Sequence, residues 1–249
     1  MIVAFDHALG QGPSPGSEYP ELVLKSIVEA GADAVLVTPG IALRFAPLLR
    51  GRISTILSIP TDPNYVAFAS RLGCQGVKTT FFGDVETSEP FKAQEDVALA
   101  CHLNGLAYVD EVVPARAGTF EVKRDDRLIQ LAARKAAELG ATVVKTVYSA
   151  TKEGFARAVE TTFIPVVILG GAKSDDQSVL RLVKDSMEAG GHGVAFGRNV
   201  WGRQDPGAMV RALRAIVHEG ADVREAAGLL GGPMEVTRRE LAARSGTGV

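Results

Sequence analysis

The chain of 249 residues has few cysteines, few aromatic residues and no excess of charge of one sign. Its only cysteines, Cys74 and Cys101, offer neither a disulfide framework nor a thiolate metal site, which favours a reducing compartment. Its 27 Lys and Arg against 29 Asp and Glu give a net charge of -2, which argues against nucleic acid as a partner. Any anionic partner is therefore expected to be a small, locally bound molecule.

The sequence also lacks a membrane span, a signal peptide and a metal-binding motif. No apolar run approaches the roughly 18 residues of a membrane span, and the opening MIVAF lacks the long apolar core of a signal peptide. We therefore expect a cytoplasmic protein without a membrane partner. The four histidines have no close metal-ligand spacing, so neither a metal nor another cofactor is expected.

What the sequence does contain is a regular alternation of strand-like and helix-like segments. Segments of helical period separate eight short apolar runs: IVAF at 2–5, AVLV at 34–37, ISTILSI at 53–59, GVKTTF at 76–81, LAYVDEVV at 106–113, TVVKTV at 142–147, PVVIL at 165–169 and GVAF at 193–196. Alternation of this kind favours parallel pairing through helical crossovers, and about 250 residues suits eight such units. The sequence predicts an α/β fold, a single (β/α)8 TIM barrel over 1–249, with 218–249 as a helical and polar tail.

The most informative residue is a lysine inside one of these strands. Lys145 follows apolar and β-branched residues in a strand that a barrel covers on both faces. Burial disfavours the ammonium form and leaves more free amine, which can condense with a substrate carbonyl to an iminium ion. The strand alone leaves open whether Lys145 does this or only pairs with an acid or binds phosphate.

The next two strands indicate a phosphate site. The seventh ends in Gly170 and Gly171 with Lys173 close behind, and the eighth ends in Gly197 and Arg198. In barrels, the loops after strands seven and eight commonly bind phosphate, because glycine lets backbone N–H groups approach the anion. Two consecutive glycine turns with cations at these strands predict a phosphorylated substrate.

These segments together resemble a known family. Lys145–Tyr148, Leu169–Lys173 and Gly193–Trp201 are similar to successive signatures of the archaeal-type class I fructose-bisphosphate aldolases, and Phe5–Gly10 is similar to their first-strand segment. That family is related to deoxyribose-phosphate aldolase and to the 2-amino-3,7-dideoxy-heptulosonate synthases. The resemblance extends from Met1 to about residue 217.

The resemblance implies a class I aldolase that makes or cleaves a C–C bond of a phosphorylated ketone or ketose, with dihydroxyacetone phosphate as the donor. It implies Lys145 as the Schiff-base residue and Asp6 beside the substrate hydroxyls. The expected contacts to phosphate or substrate are Gly170, Gly171, Lys173, Gly197, Arg198, Lys78 and His7. Lys78 is similar to a strand-four lysine of tagatose-bisphosphate aldolase relatives, and simple pairing with Asp84 or Glu111 is the alternative.

One departure from the family leaves the proton donor open. The family's strand-five motif is Tyr-Pro-Arg-Gly, but Val113 stands at the tyrosine position here, and valine cannot titrate. We expect Tyr148 first, then Glu111, with Asp6 as a further candidate, to supply this function.

Other functions remain compatible with the sequence. One is a biosynthetic aldol condensation or transaldol reaction with a polar aldehyde such as aspartate semialdehyde. Another is a phosphate-binding barrel isomerase or a noncatalytic sugar-phosphate sensor. In each case we expect a homo-oligomer acting on a small phosphorylated molecule.

Overall fold

The structure is a computed structural model that describes residues 1–87, 91–116, 118–119 and 121–231. Its eight strands are β1 (Ile2–Phe5), β2 (Ala34–Val37), β3 (Ser54–Ser58), β4 (Gly76–Gly83), β5 (Ala107–Pro114), β6 (Val143–Thr146), β7 (Val166–Leu169) and β8 (Val194–Phe196). Each strand pairs in parallel with the next, and β8 pairs with β1 to close the barrel. The predicted (β/α)8 fold is confirmed, with each predicted strand placed to within two residues at either end.

Helices connect the strands on the outside of the barrel. They are α1 (Ala8–Gln11), α2 (Pro20–Glu29), α3 (Pro39–Arg44), α4 (Ala46–Leu49), α5 (Asn64–Arg71), α6 (Phe91–Leu103), α7 (Asp126–Glu138), α8 (Lys152–Glu160), α9 (Asp176–Glu188), α10 (Arg198–Trp201), α11 (Pro206–Glu219) and α12 (Val223–Gly228), followed by a 3-10 turn, Leu229–Gly231. At the start of α7, α9 and α11, an aspartate side chain accepts a hydrogen bond from a backbone N–H of the first turn. Glycines of positive φ follow α2, α5, α7 and α9, where a left-handed residue ends the helix before the next strand.

The barrel interior changes from apolar to charged along its axis. Because side chains alternate along a strand, every second residue points inward. The lower interior is filled by Ala4, Ala34, Leu36, Ile56 and Val109. Asp6 and Glu111 lie two residues beyond Ala4 and Val109, at the carboxyl ends of the strands where barrels carry their active sites. The larger apolar cluster lies between the strands and the helices.

The first residues of the predicted C-terminal tail belong to the helix α11. Position 218 falls within the last turn of α11, whose His218 bonds to Asp33. α12 and the 3-10 turn follow, whereas residues 232–249 of the predicted tail lie outside the described residues. Within the described ranges, no helix has the length and hydropathy required to span a membrane.

Candidate active site

Four predicted site residues form one chain of ion pairs at the carboxyl ends of the strands. Lys145 Nζ lies 2.9 Å from Glu111 Oε1, and Lys78 Nζ lies 3.2 Å from Glu111 Oε2. Lys78 Nζ also lies 2.9 Å from Asp6 Oδ2. The register explains part of this arrangement, because Glu111 and Lys145 are direct partners between β5 and β6. The Lys78–Asp6 pair instead crosses the barrel between β4 and the end of β1.

This cluster is buried and electrically balanced. Lys145, Lys78 and Glu111 are 4%, 5% and 7% exposed. Two ammonium groups face two carboxylates, which is the condition under which buried charges are tolerated. Burial raises the pKa of Asp6, but Lys78 and Lys145 outweigh it and hold that pKa at about 2. Burial likewise raises the pKa of Glu111, and the same two lysines bring it below its ordinary value.

Lys78 is thus an ion-pair partner as well as a site residue. Burial lowers its pKa, but Glu111 and Asp6 more than compensate and raise it above the ordinary value. Of the two acids considered from the sequence, the structure brings Glu111 to Lys78, whereas Asp84 accepts a bond from the backbone of Glu86. Lys145 likewise has an acidic partner, Glu111, so both lysines belong to one network of ion pairs.

Sequence reasoning missed Thr80, which completes the network. Its Oγ1 accepts a bond from Lys78 Nζ at 2.6 Å and donates one to Glu111 Oε2 at 3.1 Å. Thr80 lies two residues beyond Lys78 on the same face of β4, so the period of two could have indicated it. Its hydroxyl therefore fixes the orientation of the Glu111 carboxylate.

The two glycine turns meet beside this cluster. Arg198 Nη2 donates to Gly171 O at 3.1 Å, which joins the turn after β8 to the turn after β7. Arg198 Nε is buried and has no hydrogen-bond partner among the described residues. Asn199, also missed from the sequence, donates to Gly170 O at 2.8 Å and Ala172 O at 3.1 Å. The turns thus form one cradle with an available guanidinium N–H.

Gly197 and His7 fit closely together at the edge of the cradle. A Cβ on Gly197 would lie 2.3 Å from His7 Cε1, so only glycine fits there. His7 Nδ1 lies 3.5 Å from Asp6 Oδ1, and the ring packs edge-on against Trp201. Burial lowers the pKa of His7 more than Asp6 raises it, which favours the neutral imidazole. His7 therefore lies between the cradle and the charged cluster.

Lys173 lies at the exposed margin of the cradle. Its Nζ donates to Gly202 O at 2.6 Å, so the structure uses this ammonium to connect the turns after β7 and β8. The predicted phosphate residues therefore lie together, but Lys173 already has a backbone partner.

The structure does not bring Tyr148 into the charged cluster. Its ring packs on Phe155 of α8 with centroids 4.9 Å apart. Burial and then Asp185 of α9 raise the pKa of its hydroxyl, which places that group near the outer helices. Tyr148 lies two residues beyond the end of β6 at Thr146, so the alternation of the strand no longer directs its side chain.

Val113 also lies away from the open mouth of the barrel. Its side chain is fully buried in an apolar cluster with Val147, Ile129 of α7 and Ala158 of α8. The acid of β5 that contacts Lys145 is Glu111, two residues earlier. Of the proton donors considered, the structure therefore places Glu111 and Asp6 in the cluster, and Tyr148 outside it.

Comparisons with known proteins show which family the sequence matches. The sequence matches the DeoC/LacD family aldolases over residues 1–203. It is 33% identical to a 2-amino-3,7-dideoxy-D-threo-hept-6-ulosonate synthase of Halobacterium salinarum, covering 89% of this chain and 88% of that protein. It is 31% identical to a class 1 fructose-bisphosphate aldolase of the same species, covering 92% and 94%.

A solved structure shows the same architecture with a reaction intermediate. An archaeal fructose-1,6-bisphosphate aldolase, whose catalytic lysine is covalently bound to the carbinolamine intermediate of its substrate, matches with a TM-score of 0.76. The two chains are 27% identical over 87% of this chain and 92% of that one. The fold and the relatives define a Schiff-base aldolase. The chain belongs to the DeoC/LacD aldolase family, which confirms the family and the enzyme class that the sequence predicted.

Proposed function

We propose that this protein is a class I aldolase acting on a phosphorylated ketone or ketose, with dihydroxyacetone phosphate as the donor. The observation that carries the proposal is a buried lysine amine, Lys145, next to a carboxylate and a glycine-rich cradle with a buried, unpartnered guanidinium N–H. Arg198 and the Gly170, Gly171 and Gly197 backbones hold the phosphate. Lys145 stands on the strand between β5, which carries Glu111, and β7, which leads into the first glycine turn, and in this proposal it attacks the carbonyl of the same molecule.

In this proposal, Lys145 forms the iminium and Glu111 moves the proton. Lys145 gives one proton to Glu111, its free amine attacks the carbonyl, and Glu111 returns that proton to the carbinolamine hydroxyl, which leaves as water to give the iminium. In cleavage, Glu111 removes the proton of the β-hydroxyl, the C–C bond breaks, and its electrons enter the iminium to give an enamine. Protonation of the enamine carbon and hydrolysis release the ketone. Lys78 keeps Glu111 and Asp6 ionised, and Asp6 orients a substrate hydroxyl.

The charge pattern around the mouth supports a substrate with a single phosphate. Residues 53–70 and 79–91, which include the loops after β3 and β4, contain no Lys or Arg. The loop after β5 carries three cations: Arg116, 72% exposed, pairs with Glu121, Arg124 donates to Tyr148 O at 2.8 Å, and Lys123 is exposed. The half of the substrate that extends away from the cradle is therefore expected to be a hydroxylated aldehyde without a phosphate.

The relative named as a hept-6-ulosonate synthase supports a second candidate, the biosynthetic direction. The same iminium and enamine would then condense with a polar aldehyde, for which aspartate semialdehyde is one possibility. The residue roles are unchanged, but Glu111 delivers its proton to the new alkoxide rather than removing one.

A product screen tests the proposed function. The enzyme is incubated with dihydroxyacetone phosphate and single aldehydes, with and without phosphate, and mass spectrometry detects any adduct of the two. We expect adducts with unphosphorylated polar aldehydes, and none from Lys145→Arg, because a guanidinium stays protonated. No adduct from any aldehyde, or conversion of dihydroxyacetone phosphate alone to an isomer, would contradict the proposal and favour an isomerase.

A further inference from the structure

A second acid lies back to back with Glu111 on β5 and has no role in the chemistry above. Asp110 points away from the barrel interior and is fully buried. Its Oδ1 accepts hydrogen bonds from Gln94 Nε2 of α6 at 2.8 Å and from Thr79 Oγ1 of β4 at 3.3 Å. Thr79 Oγ1 in turn lies 2.6 Å from the Tyr108 hydroxyl. The side chain thus connects β4, β5 and α6 behind the charged cluster.

Two atoms of this network have no hydrogen-bond partner among the described residues. They are the second oxygen of Asp110, Oδ2, and the amide oxygen of Gln94, Oε1, and both are buried. Two acceptors cannot bond to each other, so an ionised Asp110 leaves both unsatisfied at a substantial cost. A single proton on Asp110 Oδ2, donated to Gln94 Oε1, would satisfy both atoms in a cyclic acid–amide pair.

We propose that Asp110 is a neutral carboxylic acid in the folded enzyme, paired with Gln94, and that this pair positions Glu111 by fixing β5 against β4 and α6. Asp110 is therefore a positioning residue, since it acts on the site through its neighbour Glu111. The neighbouring acids of β5 then differ in charge. Glu111, which points into the barrel, is a carboxylate, and Asp110, which points outward, is an uncharged carboxylic acid.

The electrostatic surroundings agree with the hydrogen-bond geometry. Burial raises the pKa of Asp110 to about 7, with a further contribution from the negative charge of Glu111. The polar side chains of Tyr108, Thr79 and Gln94 oppose that rise but do not cancel it. None of these groups is a cation. On α6, Cys101 acts on the Tyr108 hydroxyl, and burial raises the pKa of its thiol to about 12, so this group also brings no charge.

The first test measures unfolding against pH. Because the Asp110 pKa is about 7 when folded and about 3.9 when unfolded, the folded state holds one extra proton between these values. Relative to Asp110→Asn, which cannot ionise, the unfolding constant of the wild type should rise about tenfold per pH unit between pH 5 and 6.5. Asp96→Asn, an exposed change on α6, serves as the control and should run parallel to the wild type. A wild-type curve parallel to Asp110→Asn would overturn the proposal.

An infrared measurement tests the protonation of Asp110 on the wild type alone. A protonated carboxyl band should be present at pH 6 and should disappear by pH 9 without unfolding. Asp6, Glu111 and Asp33 cannot account for it, since their pKa values lie below the ordinary range. Absence of the band at pH 6 would show that Asp110 is ionised and would refute the proposal.

The positioning role is tested by borohydride trapping of substrate on Lys145, which rests on the proposed function. The trapping rate is measured at pH 6 and at pH 8.5 for the wild type and for Asp110→Asn. Between these pH values Asp110 ionises in the wild type and places a negative charge behind Glu111. The ratio of the rate at pH 8.5 to the rate at pH 6 should therefore be lower in the wild type than in the variant. An equal ratio in both would refute the positioning role. If the wild type traps nothing, the proposed function fails, while the unfolding and infrared results still decide the state of Asp110.

Discussion

Replacement of Glu111 by Gln is the most informative single change, because Glu111 contacts both lysines of the site. The variant keeps the size of the side chain but removes the negative charge that lies 2.9 Å from Lys145 and 3.2 Å from Lys78. At an effective dielectric constant of about 20, each contact amounts to about 5 to 6 kcal/mol before the cost of desolvation. Removing one partner of a buried pair has a net cost of about 3 to 5 kcal/mol, which is our expectation for the loss of stability.

The two lysines should respond differently. Lys78 retains Asp6, whereas Lys145 has no other ion-pair partner among the described residues. Burial without a counter-charge favours the free amine, which is the form that attacks the carbonyl. Iminium formation should therefore persist, to within about tenfold. Turnover should fall by about two to four decades, because the group that moves the proton is lost.

The assay separates these two steps. Borohydride trapping with dihydroxyacetone phosphate measures iminium formation, and product release with the preferred aldehyde measures turnover. Glu121→Gln, at an exposed ion pair with Arg116, is the matched control and should affect neither rate. Loss of trapping and turnover to the same degree would show that Glu111 acts before proton transfer. Unchanged turnover would refute its role as acid and base.

Three further predictions follow from the site. Asp6→Asn should remove about 2 to 3 kcal/mol of stability above pH 4, since the pKa of Asp6 is about 2 in the folded protein against 3.8 for the free group. The wild type loses this stability as the pH falls towards 2, and unfolding curves that fail to converge in acid would contradict this prediction. Arg198→Ala should weaken phosphorylated substrates by about one to two decades more than unphosphorylated analogues, and equal losses would make Arg198 structural. Val113→Tyr should destabilise the fold by about 1 to 3 kcal/mol, because the larger ring overpacks a fully buried position. It should not improve cleavage of fructose 1,6-bisphosphate, and a gain in cleavage would show that the ring reaches the mouth of the barrel.

The barrel and the central lysine could be predicted because both depend on local patterns. Short apolar runs with helices between them determine a parallel closed sheet, and glycines after the helices mark where each strand begins. A lysine within such a run is unusual enough to identify Lys145 directly. The two glycine turns could be predicted from their order along the chain, since their place after β7 and β8 follows from the fold.

The remaining details of the site depend on contacts across the barrel. The Lys78–Asp6 pair joins strands that are not neighbours, and no spacing in the sequence specifies that distance. Tyr148 is the first proton donor expected from the sequence, but it lies beyond the end of β6 and its ring packs on Phe155 of α8, a contact that no spacing in the sequence specifies. Asn199 joins two turns through its side chain, and its rotamer depends on packing that the sequence does not display.

The central claim is that Lys145, and not its equally buried neighbour Lys78, forms the covalent bond to substrate. The direct measurement is reduction with borohydride in the presence of dihydroxyacetone phosphate, followed by mass-spectrometric mapping of the modified peptide. We predict one adduct per chain, located on Lys145, and none in Lys145→Arg. An adduct on Lys78, or an unmodified and fully active enzyme after the same treatment, would contradict the claim.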